Sequence, residues 1–176
     1  MYKMEYKSKI GPIVLLSDGT YLIGLYFKDL FEKLKHNEIY EEKNNEVFND
    51  TIKWLDEYFN GINPSFIPKI KFTNLTPFKS LVYKCIQEIP YGKTITYSDI
   101  AKRIASLKGI KKMSNQAVGV AVGSNPICII VPCHRVIGVN NNLVGYGGGI
   151  YKKQELLKLE GNDITKFYIP KKGNKL

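Results

Sequence analysis

Long apolar runs are missing from this chain of 176 residues. No segment comes near the roughly 20 consecutive apolar residues that a membrane-spanning helix needs. Cysteine is scarce and odd in number, with Cys85, Cys128 and Cys133 alone. Such a set argues against a disulfide framework and suits a reducing compartment, so a soluble intracellular protein is expected. Histidine is scarcer still: His36 and His134 are the two in the chain. Residues 1–9 are polar and charged, so no secretory leader is expected there. Acidic residues are sparse in one half only. Residues 76–176 hold five Asp and Glu against sixteen Lys and Arg, whereas residues 1–75 hold eleven against ten. The net charge of +10 therefore belongs to the second half. A basic half points to a polyanionic partner, most often nucleic acid, and a solvated lysine-rich surface is the plain alternative.

An apolar content of 44 % with twelve tyrosines allows a sizeable core, and the length suits one large domain or two small ones. Residues 6–10, 13–17 and 21–27 read as short strands, separated by turn signals at Gly11-Pro12 and Ser17-Asp18-Gly19. Residues 28–49 are charged and loosely periodic, either helix or loop. Phe48, Ile52, Leu55 and Phe59 keep helical spacing, and Trp54 and Tyr58 join that face. Asn60-Gly61 ends this helix, and Pro64 and Pro68 mark an extended linker. His36 stands alone and is expected on the surface.

A second unit begins near Thr76-Pro77, a helix cap followed by proline at the first helical position. Phe78, Leu81, Val82, Cys85, Ile86 and Ile89 form one apolar face, which makes Cys85 a core residue. Residues 90–93 are a turn and residues 94–97 an extended piece. Ser98-Asp99 opens a helix with Ile100, Ala101, Ile104, Ala105 and Leu107 inside. After a basic connection at residues 108–112, Ser114 caps a short helix over residues 115–122. Two helices joined this way make a helix-turn-helix pattern. The slim face of Asn115, Ala117 and Gly119 would let a backbone approach a DNA groove, and tight helix packing explains Gly119 equally well. Ser124-Asn125-Pro126 breaks the helix, and residues 127–131 read as a buried strand. Residues 140–142 form a turn, residues 143–144 a short strand, and residues 146–149 a glycine-rich loop. A helix over residues 150–159 ends at Gly161. The last eleven residues hold four lysines and no acid, a basic tail.

The chemistry concentrates at Pro132-Cys133-His134-Arg135. Pro132 stops the strand, which places a thiol and an imidazole on its tight exit. A cysteine nucleophile needs a base or a positive field, His134 is the near candidate, and Glu160 is a candidate to orient it. Adjacent strand residues point to opposite faces, so the imidazole reaches the sulfur only through a turn or a water. A buried structural thiol beside a satisfied histidine is the competing reading. Cys128, Cys133 and His134 lack a paired-cysteine spacing, so metal is disfavoured. The glycines at residues 145–149 lack the lysine ending of a phosphate loop.

Pro132-Cys133-His134-Arg135-Val136 resembles the active-site motif of the methylated-DNA–protein-cysteine methyltransferases, the O6-alkylguanine-DNA alkyltransferases. Thr76-Pro77-Phe78, Ile89-Pro90-Tyr91-Gly92, Thr96-Tyr97-Ser98-Asp99-Ile100-Ala101, Gln116-Ala117-Val118-Gly119, Asn125-Pro126, Gly145-Tyr146 and Leu156-Leu157-Lys158-Leu159-Glu160-Gly161 fall in that family's order and spacing. The resemblance covers about half the chain, from Thr76 to Gly161. It implies an α/β, ribonuclease-H-like N-terminal domain and a mostly α, winged-helix or helix-turn-helix C-terminal domain. The expected divisions are residues 1–69, residues 70–165 and a basic tail at 166–176.

The resemblance further implies direct DNA repair. Duplex DNA carrying O6-alkylguanine is bound, the base is flipped out, and the alkyl group moves once to Cys133; O4-methylthymine is a further candidate substrate. His134 is the base acting through water, Glu160 holds its other nitrogen, and Asn125 braces the turn. Tyr97 donates to guanine N3, the carbonyls of Cys133 and Val136 accept from the exocyclic amine, the Gly147 N–H faces O6, and Tyr146 closes the pocket. Asn115, Gln116, Ala117, Gly119 and Arg135 are the expected DNA-binding residues, with the helix from Asn115 in the minor groove. No cofactor, no metal and no membrane are expected, and the protein is expected to be a monomer in the cytoplasm, or in the nucleus of a eukaryote. Three departures stand out: Gln116 occupies the position of a common arginine, Gly147 that of a hinge serine, and the first half has no cysteine for a zinc site. Two rivals remain, a lesion-marking relative of the family, which Cys133 argues against, and a cysteine hydrolase.

Overall fold

The computed structural model describes residues 1–34 and 38–169, and it divides into two compact units. Unit 1 comprises Met1–Asn74 together with Pro126–Ile130. Unit 2 comprises Leu75–Asn125 and Val131–Leu176. His36 lies outside the described residues, as does the end of the basic tail from residue 170.

Unit 1 is built on strands β1 (Tyr2–Ser8), β2 (Gly11–Ser17), β3 (Leu22–Phe27) and the two-residue β4 (Glu41–Glu42), in the spatial order β3-β2-β1-β4. The first strand begins four residues earlier than residues 6–10 suggest. Tyr2, Met4 and Tyr6 alternate with Lys3, Glu5 and Lys7, and pairing Tyr2 with Ser17 extends the hairpin over that alternation. Both faces of β2 are covered. Val14 and Leu16 join Ile23 and Tyr26 beneath Leu30 and Phe31. Helix α1 (Lys28–Lys33) supplies those last two, so residues 28–49 hold one short helix, β4 and the start of the next helix. That helix, α2 (Glu46–Phe59), is capped by Asn45, whose side chain accepts from the Phe48 N–H, and it packs on β1, β2 and β3.

Pro126–Ile130 is not a strand. Only Ile127 bridges Leu25, with Leu25 donating to the Pro126 carbonyl and Cys128 to the Leu25 carbonyl. The chain then folds at Ile129, whose φ of 71° is rare for a β-branched residue, and Ile130 donates back to the Cys128 carbonyl. The apolar run reflects burial, not extension.

Unit 2 is mostly helical: α3 (Pro77–Gln87), α4 (Tyr97–Leu107), α5 (Asn115–Gly123) and α6 (Ile150–Leu159). α3, α4 and α5 pack on one another. Thr76 caps α3 and Ser114 caps α5, as their sequence positions suggest. α4 starts one residue earlier than Ser98, because Thr96 and Asp99 form a reciprocal capping box. Leu107 is exposed, since α4 ends there and Gly109 turns the chain at φ 62°. Strands β5 (Ile95–Thr96) and β6 (Val136–Ile137) pair in parallel. Residues 143–144 are not a strand; instead Leu143 donates to the Tyr168 carbonyl and Tyr168 to that of Asn141. Residues 164–166, which lead into the basic tail, form a 3-10 turn.

Candidate active site

Cys133 and His134 lie in a 3-10 turn, Cys133–Arg135, not on a strand exit. Pro132 sets it up. With φ −80° and ψ 62° it centres a tight turn in which Cys133 donates to the Val131 carbonyl at 2.7 Å. Asn125, buried at the end of α5, closes the loop from the other side. Its Nδ2 donates to the Val131 carbonyl at 2.8 Å and to Cys133 Sγ at 3.0 Å. An amide donor aimed at sulfur favours the thiolate over the thiol.

His134 is fully buried, and its Nε2 donates to Glu160 Oε1 at 2.7 Å. A carboxylate fixes that proton on Nε2, so Nδ1 carries the lone pair. Burial pushes His134 below its usual value, and the charges of Arg135 and Lys153 act the same way, against the pull of Glu160. The imidazole is therefore neutral at neutral pH. Burial pushes Glu160 upward, but His134 and Arg135 outweigh it and hold the carboxyl at about 2. Arg135 meets Glu160 at two points, Nε to Oε2 and Nη2 to Oε1, each 2.9 Å. Its Nη1 donates to the Ile89 carbonyl at 2.7 Å. The Gly92 N–H donates to Glu160 Oε2 at 3.1 Å. Gly92 has φ 70°, and a Cβ there would stand 2.8 Å from the Glu160 carbonyl oxygen, so only glycine brings that turn to the end of α6.

Tyr97 opens α4 beside this network, with its hydroxyl 3.1 Å from the Gly145 carbonyl and 3.3 Å from that of Val144. Burial, reinforced by Cys133, raises the phenol well above its ordinary value, so it stays protonated and can donate. Val136 is buried in β6, Tyr146 is half-buried with its hydroxyl inside, and Gly147 is exposed.

One participant escaped the sequence reading. Lys153 on α6 is fully buried, and its Nζ donates to the carbonyls of Val136 at 2.6 Å and Val144 at 2.8 Å. The signal was present: Lys153 keeps the helical spacing of Ile150 and Leu157 and so sits on the helix face that packs inward.

The expected DNA-contacting residues separate into two groups. Asn115 and Gln116 are exposed on the first turn of α5, and Ala117 is half-buried. Gln116 and Ala117 border a groove of about 450 Å³ between α3 and α5, lined also by Phe78, Lys79 and Val120. Gly119 is buried, which fits its packing role. Arg135 is buried and committed to Glu160, so it too is not a surface contact. A larger cavity of about 630 Å³ lies in unit 1 among Lys3, Glu5, Lys28 and Glu42, and it holds no thiol or imidazole. Among the described residues, no three His, Cys, Asp or Glu side chains gather as a metal site, and no helix is long and apolar enough to cross a membrane.

Two family models match successive parts of the chain. Residues 1–67 match the family model described as 6-O-methylguanine DNA methyltransferase, ribonuclease-like domain. Residues 77–162 match 6-O-methylguanine DNA methyltransferase, DNA binding domain. The methylated-DNA–protein-cysteine methyltransferase of Methanosarcina acetivorans is 42 % identical over 164 residues, covering 92 % of this chain and 99 % of that protein. The protein of the same name from Mycobacterium leprae is 36 % identical, covering 89 % and 90 %. A crystal structure of Mycobacterium tuberculosis OGT in complex with DNA superposes with a TM-score of 0.76 at 34 % identity, covering 95 % of each chain.

Proposed function

The chain belongs to the 6-O-methylguanine DNA methyltransferase family, and from that premise we propose that it repairs duplex DNA by moving the O6-alkyl group of a flipped guanine onto Cys133. The observation that carries this reading is the buried thiol itself. It accepts from Asn125 and neighbours a neutral histidine whose tautomer is fixed by an ionised glutamate.

The Cys133 proton passes through a water to Nδ1 of His134, and the resulting imidazolium is held by Glu160. The sulfur attacks the alkyl carbon, an S–C bond forms, and the C–O6 bond breaks with its electron pair left on guanine. A proton returns to the base, with Tyr97 donating at N3, so unmodified guanine and S-alkylcysteine are the products. A thioether has no leaving path, so each molecule acts once. The carbonyls of Cys133 and Val136 take the exocyclic amine, the Gly147 N–H takes O6, and Tyr146 closes the pocket. In the resting protein the Tyr97 hydroxyl faces two loop carbonyls, which guanine N3 must replace.

Residues 70–165 bear both DNA binding and chemistry, residues 1–69 form the ribonuclease-like domain, and the lysines of the second half contact phosphates. The helix from Asn115 enters the minor groove, with Gln116 filling the space left by the flipped base. All reacting groups come from one chain, which fits a monomer, and three buried cysteines outside any disulfide fit the cytoplasm.

The test is to incubate the protein with duplex DNA carrying O6-methylguanine and weigh it. One added methyl on the Cys133 peptide, absent in Cys133→Ala, is the expected result. Binding without mass gain, or repeated turnover, overturns the reading.

A further inference from the structure

Lys153 has no part in the proton path just described, yet its ammonium is fully buried in unit 2. Its hydrogen-bond partners are both backbone carbonyls, one on β6 and one on the loop before α6. Carboxylates are what usually compensate a buried ammonium, and here carbonyl dipoles do so instead. The same Nζ stands 5.9 Å from the centre of the Tyr97 ring, whose hydroxyl shares the Val144 carbonyl. One cation thus ties together β6, the pocket loop and α4.

We propose that Lys153 is a positioning residue of the transfer reaction: its ammonium fixes the Val136 and Val144 walls of the base pocket in register and supplies the charge that favours Cys133 as thiolate. The inference rests on the alkyl-transfer reading of Cys133. The titratable groups facing Lys153 are Cys133 and His134 from the 3-10 turn and Tyr97 from α4. Glu160 and Arg135 stand behind His134 and offset each other. His134 is neutral and Tyr97 protonated, so Cys133 is the neighbour whose charge can change. Burial lowers Lys153 to about 8 while Cys133 pulls it up, which leaves it charged at neutral pH and sensitive to the state of the sulfur.

Two measurements without DNA test the proposal. The first is the pH profile of carboxamidomethylation by iodoacetamide, read on the Cys133 peptide by mass spectrometry so that Cys85 and Cys128 do not contribute. In Lys153→Met the midpoint should rise by about one pH unit, with about a tenfold slower reaction at pH 7, and Lys153→Arg should recover most of that shift. A Lys153→Met profile that overlays the wild type overturns the proposal. The second uses the wild-type protein, so a poorly folding variant cannot block the test. The NMR titration of 13C-labelled Lys153 should move to lower pH once Cys133 is capped, because coupled groups shift one another reciprocally. An unmoved midpoint overturns the proposal. Failure of the methyl-transfer assay in the wild type would overturn the function and with it the transfer role of Lys153, whereas a wild type that transfers methyl with either measurement unmoved overturns the Lys153 proposal alone.

Discussion

Arg135 grips Glu160 at two points, Nε to Oε2 and Nη2 to Oε1, both at 2.9 Å, inside a site that also buries His134. Two consequences follow for an otherwise ordinary glutamate at the end of a helix. It stays ionised, and it holds the imidazole in one tautomer. In Glu160→Gln the guanidinium keeps its burial and loses its counter-charge, which costs roughly 3–5 kcal/mol. Urea denaturation at pH 7 should show that loss, and a difference under about 1 kcal/mol would mean the pair carries no structural weight.

Acid should weaken the fold in two stages. His134 is held below its usual value of 6.5, so the unfolded chain binds the extra proton first, and stability starts to fall as pH drops through about 6.5. Glu160 is depressed from 4.5 to about 2, so its contribution is complete above about 4.5 and disappears as pH falls toward 2. Lys153 is depressed as well, from 10.5 to about 8, so it adds stability as pH rises between those values. Thermal melts across pH should rise from pH 3 to above 6.5. A profile flat between pH 4 and 7 contradicts a neutral, buried His134.

Asn125 is the direct donor to Cys133 Sγ. A hydrogen bond to a charged group is worth about 1.5–3 kcal/mol, so Asn125→Ala should slow methyl transfer by roughly 10- to 100-fold. Asn125→Asp should be worse, because a carboxylate beside the sulfur opposes the thiolate. Single-turnover kinetics with modified duplex distinguish the two, and equal rates for wild type and Asn125→Ala would remove Asn125 from the reaction.

Gln116 is exposed on the first turn of α5, at the position where the family often has arginine. Base flipping costs a few kcal/mol, and an amide fills the vacated space without guanidinium charge or stacking. Gln116→Ala should lower both duplex affinity and transfer rate, and Gln116→Arg should raise them. The affinity of the wild type should also fall steeply with salt, since the surplus cations belong to residues 76–176. Unchanged binding and rate in Gln116→Ala would leave Gln116 without a role in flipping.

The helices of unit 2 were legible because their signals are local. Thr76 and Ser114 cap where their side chains reach the next turn's N–H groups, and Phe78, Val82 and Ile86 repeat at helical spacing. Residues 127–131 misled because a run of β-branched apolar residues is the same whether it is extended or merely buried. Pairing at Ile127 and a positive φ at Ile129 decided the matter, and neither is written in side-chain type. Arg135, which the resemblance places among the DNA-binding residues, faces inward for a related reason: Glu160, 25 residues away, claims it.

The sequence by itself determined where the helices begin, which half is basic, and which cysteine stands beside a histidine. Those depend on residues within a turn or two of one another, or on composition. Only the tertiary structure decided that Asn125 touches the sulfur, that Arg135 faces inward, and that Lys153 is buried against the pocket carbonyls. Each of these depends on whether a charge or donor meets water or meets a partner distant in the chain, and folding settles that by what it brings within 3 Å.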